Sequence, residues 1–416
     1  MGIIGSSLKL TAGNLAVRFG SYLYRILMAR MLTPQEYGIL SLALPLQFLV
    51  VVLGSAGIAP SVAKFVAEHR AKGELRRSAA VAGAGLVYYT LAGAALALAF
   101  VVLSPIVAGA YGIESLSPVL QLSAAALPFG FALAVLTGVL QGTGRFGAMA
   151  ALLTSLQFLR ILLAAGAVAV SATAASAVLG STLGFAGVLA LALPLTLREL
   201  GRGGMREFRR LFYFSLPVSV SSALGFLLAF LDIILLGFYA PPGEVGIYGA
   251  ASPAARVALA FAMALSAVLL PRVSALSASG RRGELTRTLA GSFRATVMVL
   301  GGVSLITGIF AKELVVLLFG ATYAEAAEPL RVLVAGSFFY GLFSVSTGAL
   351  QGLGKPEAPA RILTLAVLLE GALCLLLIPE YGMMGAASAS AASSAAAGVL
   401  AMVTLYREVG RRKPGA

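Results

Sequence analysis

The chain is built from long apolar runs, and no other feature limits its fold as much. A segment of about 20 apolar residues can satisfy its backbone in a bilayer only as a helix, or as shorter strands in a closed barrel. Twelve such segments are legible, at roughly 10–31, 38–60, 79–103, 118–140, 148–170, 174–197, 213–239, 247–270, 290–311, 329–350, 362–379 and 384–405. Most are near-continuous runs of Ala, Leu, Val and Gly, without the alternation of a barrel strand. Hydrophobic residues make up 59% of the chain and charged residues 11%, against about 45–50% and 25% in soluble domains. The expected fold class is all-α: a polytopic membrane protein with about 12 transmembrane helices.

The cations set the topology. The segments 1–10, 61–79, 141–149, 198–212, 272–290, 351–361 and 406–416 hold 22 of the 30 Lys and Arg, and the loops on the opposite side hold only Lys312. Loop acids divide evenly between the two sides, so the bias is in cations, as the positive-inside rule requires. Both termini are expected to be cytoplasmic in a multi-pass cell-membrane protein, and no cleavable signal peptide is expected. The net charge of +14 then reflects topology and contact with anionic lipids, not nucleic-acid binding.

Two echoes share one offset. GELRRS (73–78) returns as GELTRT (283–288), and LQGTGR (140–145) returns as LQGLGK (350–355), both 210 residues on. Looser matches join SPVLQL (117–122) to AEPLRVL (327–333) and EYGIL (36–40) to GIYGA (246–250). A constant shift implies a repeat. The expected organisation is therefore an N-terminal six-helix lobe at 1–197, a cytoplasmic linker at 198–212 and a C-terminal six-helix lobe at 213–416. Six spans per copy preserve orientation, which gives parallel repeats with a site between them. Gly201, Gly203 and Gly204 read as a pivot for rocking.

Seven arginines and two acids remain within the predicted spans. Arg30, Arg294 and Arg331 lie close enough to span ends to snorkel. Arg18 and Arg25 are two helical turns apart and share a face with Asn14, Ser21 and Tyr22. Such a stripe lines a wet cavity or packs on another polar helix. Arg160 lies near the middle of span five and Arg256 within span eight. Asp232 and Glu370 form a possible ion-coupling or ion-pair set. Arg160 and Glu370 are equivalent under the 210 shift, and pairing between them is one possibility. Intramembrane charges of this kind mark functional sites by default.

Other signals lead nowhere. GTGRFG (142–147) spells a dinucleotide fingerprint but joins two membrane spans, so a tight turn explains it. His69 is the only histidine and Cys374 the only cysteine; His69 lies in a solvated basic loop, so no His/Cys metal site and no Ser/His/Asp triad inside the membrane are expected. No cofactor and no enzymatic activity are expected, only a possible coupling Na⁺ or H⁺.

Twelve spans in two halves, the stretches ARMLTPQEYGILSLALPL (29–46) and LGSAGIAPSVAKFVAE (53–68), and the LQG-x-G turns together resemble polysaccharide flippases. These are the O-antigen (Wzx) type of the multidrug/oligosaccharidyl-lipid/polysaccharide (MOP) exporter superfamily. The resemblance implies a V-shaped, MATE-like pair of lobes working by alternating access. It implies a cargo of polyprenyl- or dolichyl-(pyro)phosphate-linked oligosaccharide, carried from the cytoplasmic to the outer leaflet. Related peptidoglycan-precursor flippases use arginines on the first and eighth spans to bind diphosphate, and Arg18, Arg25 and Arg256 match that placement by helix. Those relatives carry two further C-terminal spans, which disfavours that assignment. The expected substrate-binding residues are Arg18, Arg25, Arg160 and Arg256, because guanidinium binds phosphate oxygens bidentately. The partners expected are the lipid-linked glycan and membrane lipids, with a monomer sufficient. The alternatives are a cation-coupled multidrug exporter of the same superfamily and a lipid scramblase or scaffold.

Overall fold

The computed structural model describes residues 17 and 19–411. Among the described residues the regular structure is helical, with no strand. The helix α1 ends at Met31. It is followed by α2 (Pro34–Ser55), α3 (Ile58–Ala71), α4 (Leu75–Tyr111), α5 (Leu116–Ala124), α6 (Ala126–Gly142), α7 (Phe146–Val170) and α8 (Ala174–Thr196). Then come α9 (Met205–Leu236), α10 (Pro242–Ala255), α11 (Leu259–Ala278), α12 (Arg282–Ile309), α13 (Ala311–Phe319), α14 (Ala327–Gly352) and α15 (Glu357–Arg411).

Local chemistry explains the helix ends. Thr33 caps α2, its hydroxyl accepting from the Glu36 N–H at 3.3 Å, with Pro34 in the first turn. Thr173 caps α8 through the Ser176 N–H. The two LQG-x-G turns are superimposable in their bonding. Gly144 (φ +74°) and Gly354 (φ +78°) reach the left-handed region, and the N–H groups of Arg145 and Lys355 close back on the carbonyls of Leu140 and Leu350. The tight-turn reading of GTGRFG therefore holds.

Ten helices among the described residues are long and apolar enough to cross a membrane, and the protein is a multi-pass membrane protein. One of them, Glu357–Gly410, has 54 residues and would reach about 80 Å as one helix. Gly382 at φ +52° breaks it into two spans. The predicted first span, 10–31, begins outside the described residues. The predicted eighth span, 247–270, is not continuous. It stops at Ala255, two residues after Pro253, and resumes at Leu259, with Arg256 capping the first piece.

By internal contacts the chain divides into two compact units, Met1–Phe226 and Leu227–Ala416. The division falls inside α9, beyond the 198–212 stretch. In the first unit the Leu116–Gly142 segment is central, 61% buried, whereas α4 is 22% buried along its most apolar stretch. In the second unit α14 is central to the same degree and α12 is 17% buried. Small residues allow the close helix approaches. A Cβ on Gly138 or Gly142 would press on the carbonyls of Ala59 or Ala63, and a Cβ on Gly348 or Gly352 on those of Ser266 or Leu270.

The glycines of the 198–212 stretch do not form a pivot. The Gly201 N–H donates to the Ala79 carbonyl at 2.9 Å. A Cβ on Gly203 would lie 1.9 Å from the Ala80 carbonyl oxygen. Two of these glycines are there for close packing against the start of α4, so they hold the segment down.

Candidate functional site

Intramembrane cations gather in the first unit, and acids with one arginine gather in the second. In the first unit, α1 meets α7 where Gly20 leaves room for Gln157, whose Nε2 donates to the Ser21 hydroxyl at 3.3 Å. The polar stripe predicted on α1 therefore faces α7 at this level. Arg25, one turn further along, is half-buried. Arg18 and Asn14, the other members of the stripe, lie outside the described residues.

Arg160 of α7 is 7% exposed and sits among three rings. Its guanidinium carbon lies 5.1 Å from the centroid of Tyr24, 5.5 Å from Phe185 and 6.0 Å from Phe48. Tyr24 is itself held by α8, donating to the Ala177 carbonyl and accepting from the Ser181 hydroxyl. Gly184 gives α8 its approach, since a Cβ there would lie 2.9 Å from the Arg160 Cγ. The ring faces offset part of the cost of burying this cation, up to about 2 kcal/mol for a desolvated contact. No carboxylate forms an ion pair with Arg160 among the described residues, and its Nε has no hydrogen-bond partner. Nothing in the spacing of Tyr24, Phe48 and Phe185 in sequence announces this cage.

In the second unit Asp232 is fully buried. It accepts the Tyr248 hydroxyl at 2.6 Å and the Ile233 N–H at 2.8 Å, and Arg256 lies 3.8 Å away. The break between α10 and α11 gives Arg256 its position, and Phe230 lies 5.2 Å beneath the guanidinium. Glu370 is also fully buried, within electrostatic reach of Asp232 and Arg256 and beside Ser390. Neither of its carboxylate oxygens has a hydrogen-bond partner among the described residues. A cavity of about 60 Å³ adjoins this group, lined by Arg256, Ser337, Tyr340, Ser390 and Ser394. It can hold water.

Of the residues expected from sequence, Asp232, Arg256 and Glu370 are brought together. Tyr248 and Ser390 complete the group and were not expected. Tyr248 stands in GIYGA, whose echo of EYGIL was noticed for its alignment and not for its hydroxyl. Arg256, expected as a substrate-binding residue, has an acidic neighbour in its own unit.

The comparisons accord with this architecture. The family model described as "Polysaccharide biosynthesis protein" matches residues 5–277, and a second, MatE, matches residues 217–376. The chain is 25% identical over 212 residues to the probable low-salt glycan biosynthesis flippase Agl15 of Haloferax volcanii, covering 51% of this chain and 45% of that protein. It is 24% identical over 183 residues to the putative O-antigen transporter of Shigella flexneri, covering 44% and 43% of the two chains. The match thus spans less than half the length of these curated relatives. Among solved structures, an inward-facing multidrug resistance MATE family transporter of the MOP superfamily aligns with a TM-score of 0.80 at 14% identity, covering 95% of this chain and 94% of that one. The lipid II flippase MurJ aligns with a TM-score of 0.80 at 14% identity, covering 96% and 88%. Identity that low establishes a shared fold and no more. The first family model covers more than half of the sequence, and on that match the chain belongs to the polysaccharide biosynthesis protein family.

Proposed function

We propose that this protein is a flippase that moves a lipid-linked oligosaccharide across the cell membrane from the cytoplasmic to the outer leaflet. The observation that carries this reading is the charge of the first unit. Arg25 and Arg160 lie more than a turn inside their helices, while its described carboxylates, Glu36, Glu68, Glu74, Glu114, Glu199 and Glu207, lie in turns or within about a turn of a helix end. A low-dielectric region with excess positive charge favours an anion, and a (pyro)phosphate offers oxygens that guanidinium binds two at a time. The lipid tail can remain in the bilayer while the head crosses. Relatives named as glycan flippases and an O-antigen transporter support the same cargo class.

Arg18, Arg25, Arg160 and Arg256 are the proposed headgroup ligands, with alternating access as the proposed cycle and both termini in the cytoplasm. Arg160 contributes through its unpartnered Nε only if the aromatic cage opens. Asp232 and Glu370 form the proposed coupling pair. Asp232 lies 3.8 Å from Arg256 and Glu370 is within electrostatic reach of both, and a proton or Na⁺ is the proposed further positive charge for the two carboxylates. No other cofactor is required.

The test is binding of purified protein to a polyprenyl pyrophosphate, followed by flipping in proteoliposomes. Wild type should bind at micromolar concentration or tighter, with affinity that falls as salt rises. Arg25→Ala should lose both binding and flipping while keeping its melting temperature. Equal binding by wild type and variant would refute the assignment.

A second reading is a cation-coupled multidrug exporter. It is favoured by the buried Asp232–Glu370 pair, which lies within the segment matched by the MatE model. Drug resistance in a sensitive host, lost in Glu370→Gln, would support it over the flippase.

A further inference from the structure

Away from the intramembrane charges, the first unit holds a second cationic cavity at the level of its cation-rich loops. It measures about 280 Å³ and is lined by Phe65 and His69 at the end of α3, Arg77 and Val81 at the start of α4, and Arg206, Glu207 and Arg210 at the start of α9. We propose that this cavity binds the phosphate of an anionic phospholipid headgroup from the cytoplasmic leaflet. This inference does not depend on the cargo that the protein transports.

Three observations carry it. First, three arginines line the cavity against one lining acid, Glu207. Glu74 accepts from Arg77 at 2.7 Å and is paired with His69 Nδ1 at 2.7 Å, and Glu207 accepts the Gly204 N–H at 2.9 Å. Arg206 and Arg210 lie one helical turn apart on one face of α9. Neither forms an ion pair among the described residues. Two guanidiniums on a shared wall match the oxygens of one phosphate.

Second, the helices that frame the cavity are fastened to one another, although the arginines themselves are exposed. The start of α9 is clamped to α4 by the Gly201–Ala79 hydrogen bond and by Phe208, which stacks on Tyr88 at 5.1 Å and meets Tyr89 edge-on at 5.1 Å. Such a frame reduces the ordering cost of binding.

Third, the surroundings suit a lipid better than a free anion. Tyr213, Leu216 and Val220 follow Arg206 and Arg210 along α9 and are 65%, 46% and 49% exposed. They extend an apolar surface toward the membrane interior, where acyl chains lie. Basic pockets between membrane helices on the cytoplasmic side are suited to anionic headgroups.

The experiment uses the purified full-length chain in neutral detergent. Retained lipid is counted by native mass spectrometry after incubation with equimolar phosphatidylglycerol and phosphatidylcholine. Wild type should retain phosphatidylglycerol preferentially. Arg206→Ala/Arg210→Ala should lower that affinity at least about tenfold, the scale of losing charge-assisted hydrogen bonds. Arg206→Lys/Arg210→Lys keeps the charge but loses the paired N–H donors and should lower the preference part of the way; it serves as the deciding variant if the alanine form melts early, and an unchanged preference in it then overturns the proposal. Equal retention of the two lipids, or an unchanged preference in the alanine variant, overturns the proposal. Displacement of phosphatidylglycerol by equimolar inorganic phosphate also overturns it, because the site would then recognise a free anion.

Discussion

At the scale of single residues, Asp232 carries the largest structural load of any charged side chain described. Its two oxygens serve the Tyr248 hydroxyl, the Ile233 N–H and the Arg256 charge from a fully buried position. Asp232→Ala leaves the buried Tyr248 hydroxyl without its Asp232 acceptor and removes the charge beside Arg256, at about 1–3 kcal/mol per unsatisfied group. A clear fall in melting temperature in detergent is expected, and an unchanged melt would contradict this role. Glu74, outside the spans, makes a second prediction. The hydrogen bond to His69, and after it the one from Arg77, hold its carboxyl below the usual glutamate range. A depressed value means that the stabilisation is fully present above the unfolded glutamate value, about 4.3. It is lost as pH falls through the folded value. Acid melting curves should therefore show a steeper limb below about pH 4 for wild type than for Glu74→Gln.

At the scale of elements, the two sequence echoes behave differently. The LQG-x-G turns match at 210 residues in sequence and in hydrogen bonding. The GEL echo at 73–78 and 283–288 does not mark equivalent turns. Gly73, at φ +73°, corresponds in bonding to Gly280, at φ +67°, whereas Gly283 lies inside α12 with open space around it. Both turns close alike: the N–H of Glu74 bonds to the His69 carbonyl, and that of Arg281 to the Leu276 carbonyl. Identical letters thus fell three residues from the structural equivalent, because a helix start tolerates GEL on either side of the turn. The prediction separates the two glycines. Gly280→Ala should cost about 1–2 kcal/mol for a left-handed alanine, while Gly283→Ala should be neutral or stabilising by about 0.5–1 kcal/mol. The same logic tests the 198–212 stretch. Gly203→Ala, whose Cβ meets the Ala80 carbonyl, should lose about 1–3 kcal/mol by overpacking. Gly225→Ala, in open space within α9, should lose nothing. Equal melting of all four variants would remove the packing argument.

At the scale of the whole molecule, the sidedness argued from cations can be read with one reagent. Cys374 is the only cysteine in the sequence and is fully buried, so the wild type should be silent to a membrane-impermeant maleimide. Ser279→Cys, in an exposed cation-rich turn, should label only from the cytoplasmic side. Glu114→Cys, in an exposed turn after α4, should label only from outside. Labelling of both from one side would overturn the topology.

Class and helical content follow from sequence because each depends on local composition along one helix. A run of about 20 apolar residues has one favourable fate in lipid whatever its neighbours, and a glycine after LQG-x reports a turn wherever it occurs. The sequence also identified Asp232, Arg256 and Glu370 as intramembrane charges, since a charge is conspicuous in an apolar run. Which charges meet was decided only by tertiary packing. Arg256 reaches Asp232 because α10 breaks beside it, and Tyr248 reaches the same carboxylate from another helix. Arg160 is surrounded by rings from three other helices, α1, α2 and α8. Contacts between helices depend on rotation and register about each axis, and no pattern within a single helix encodes its partner's.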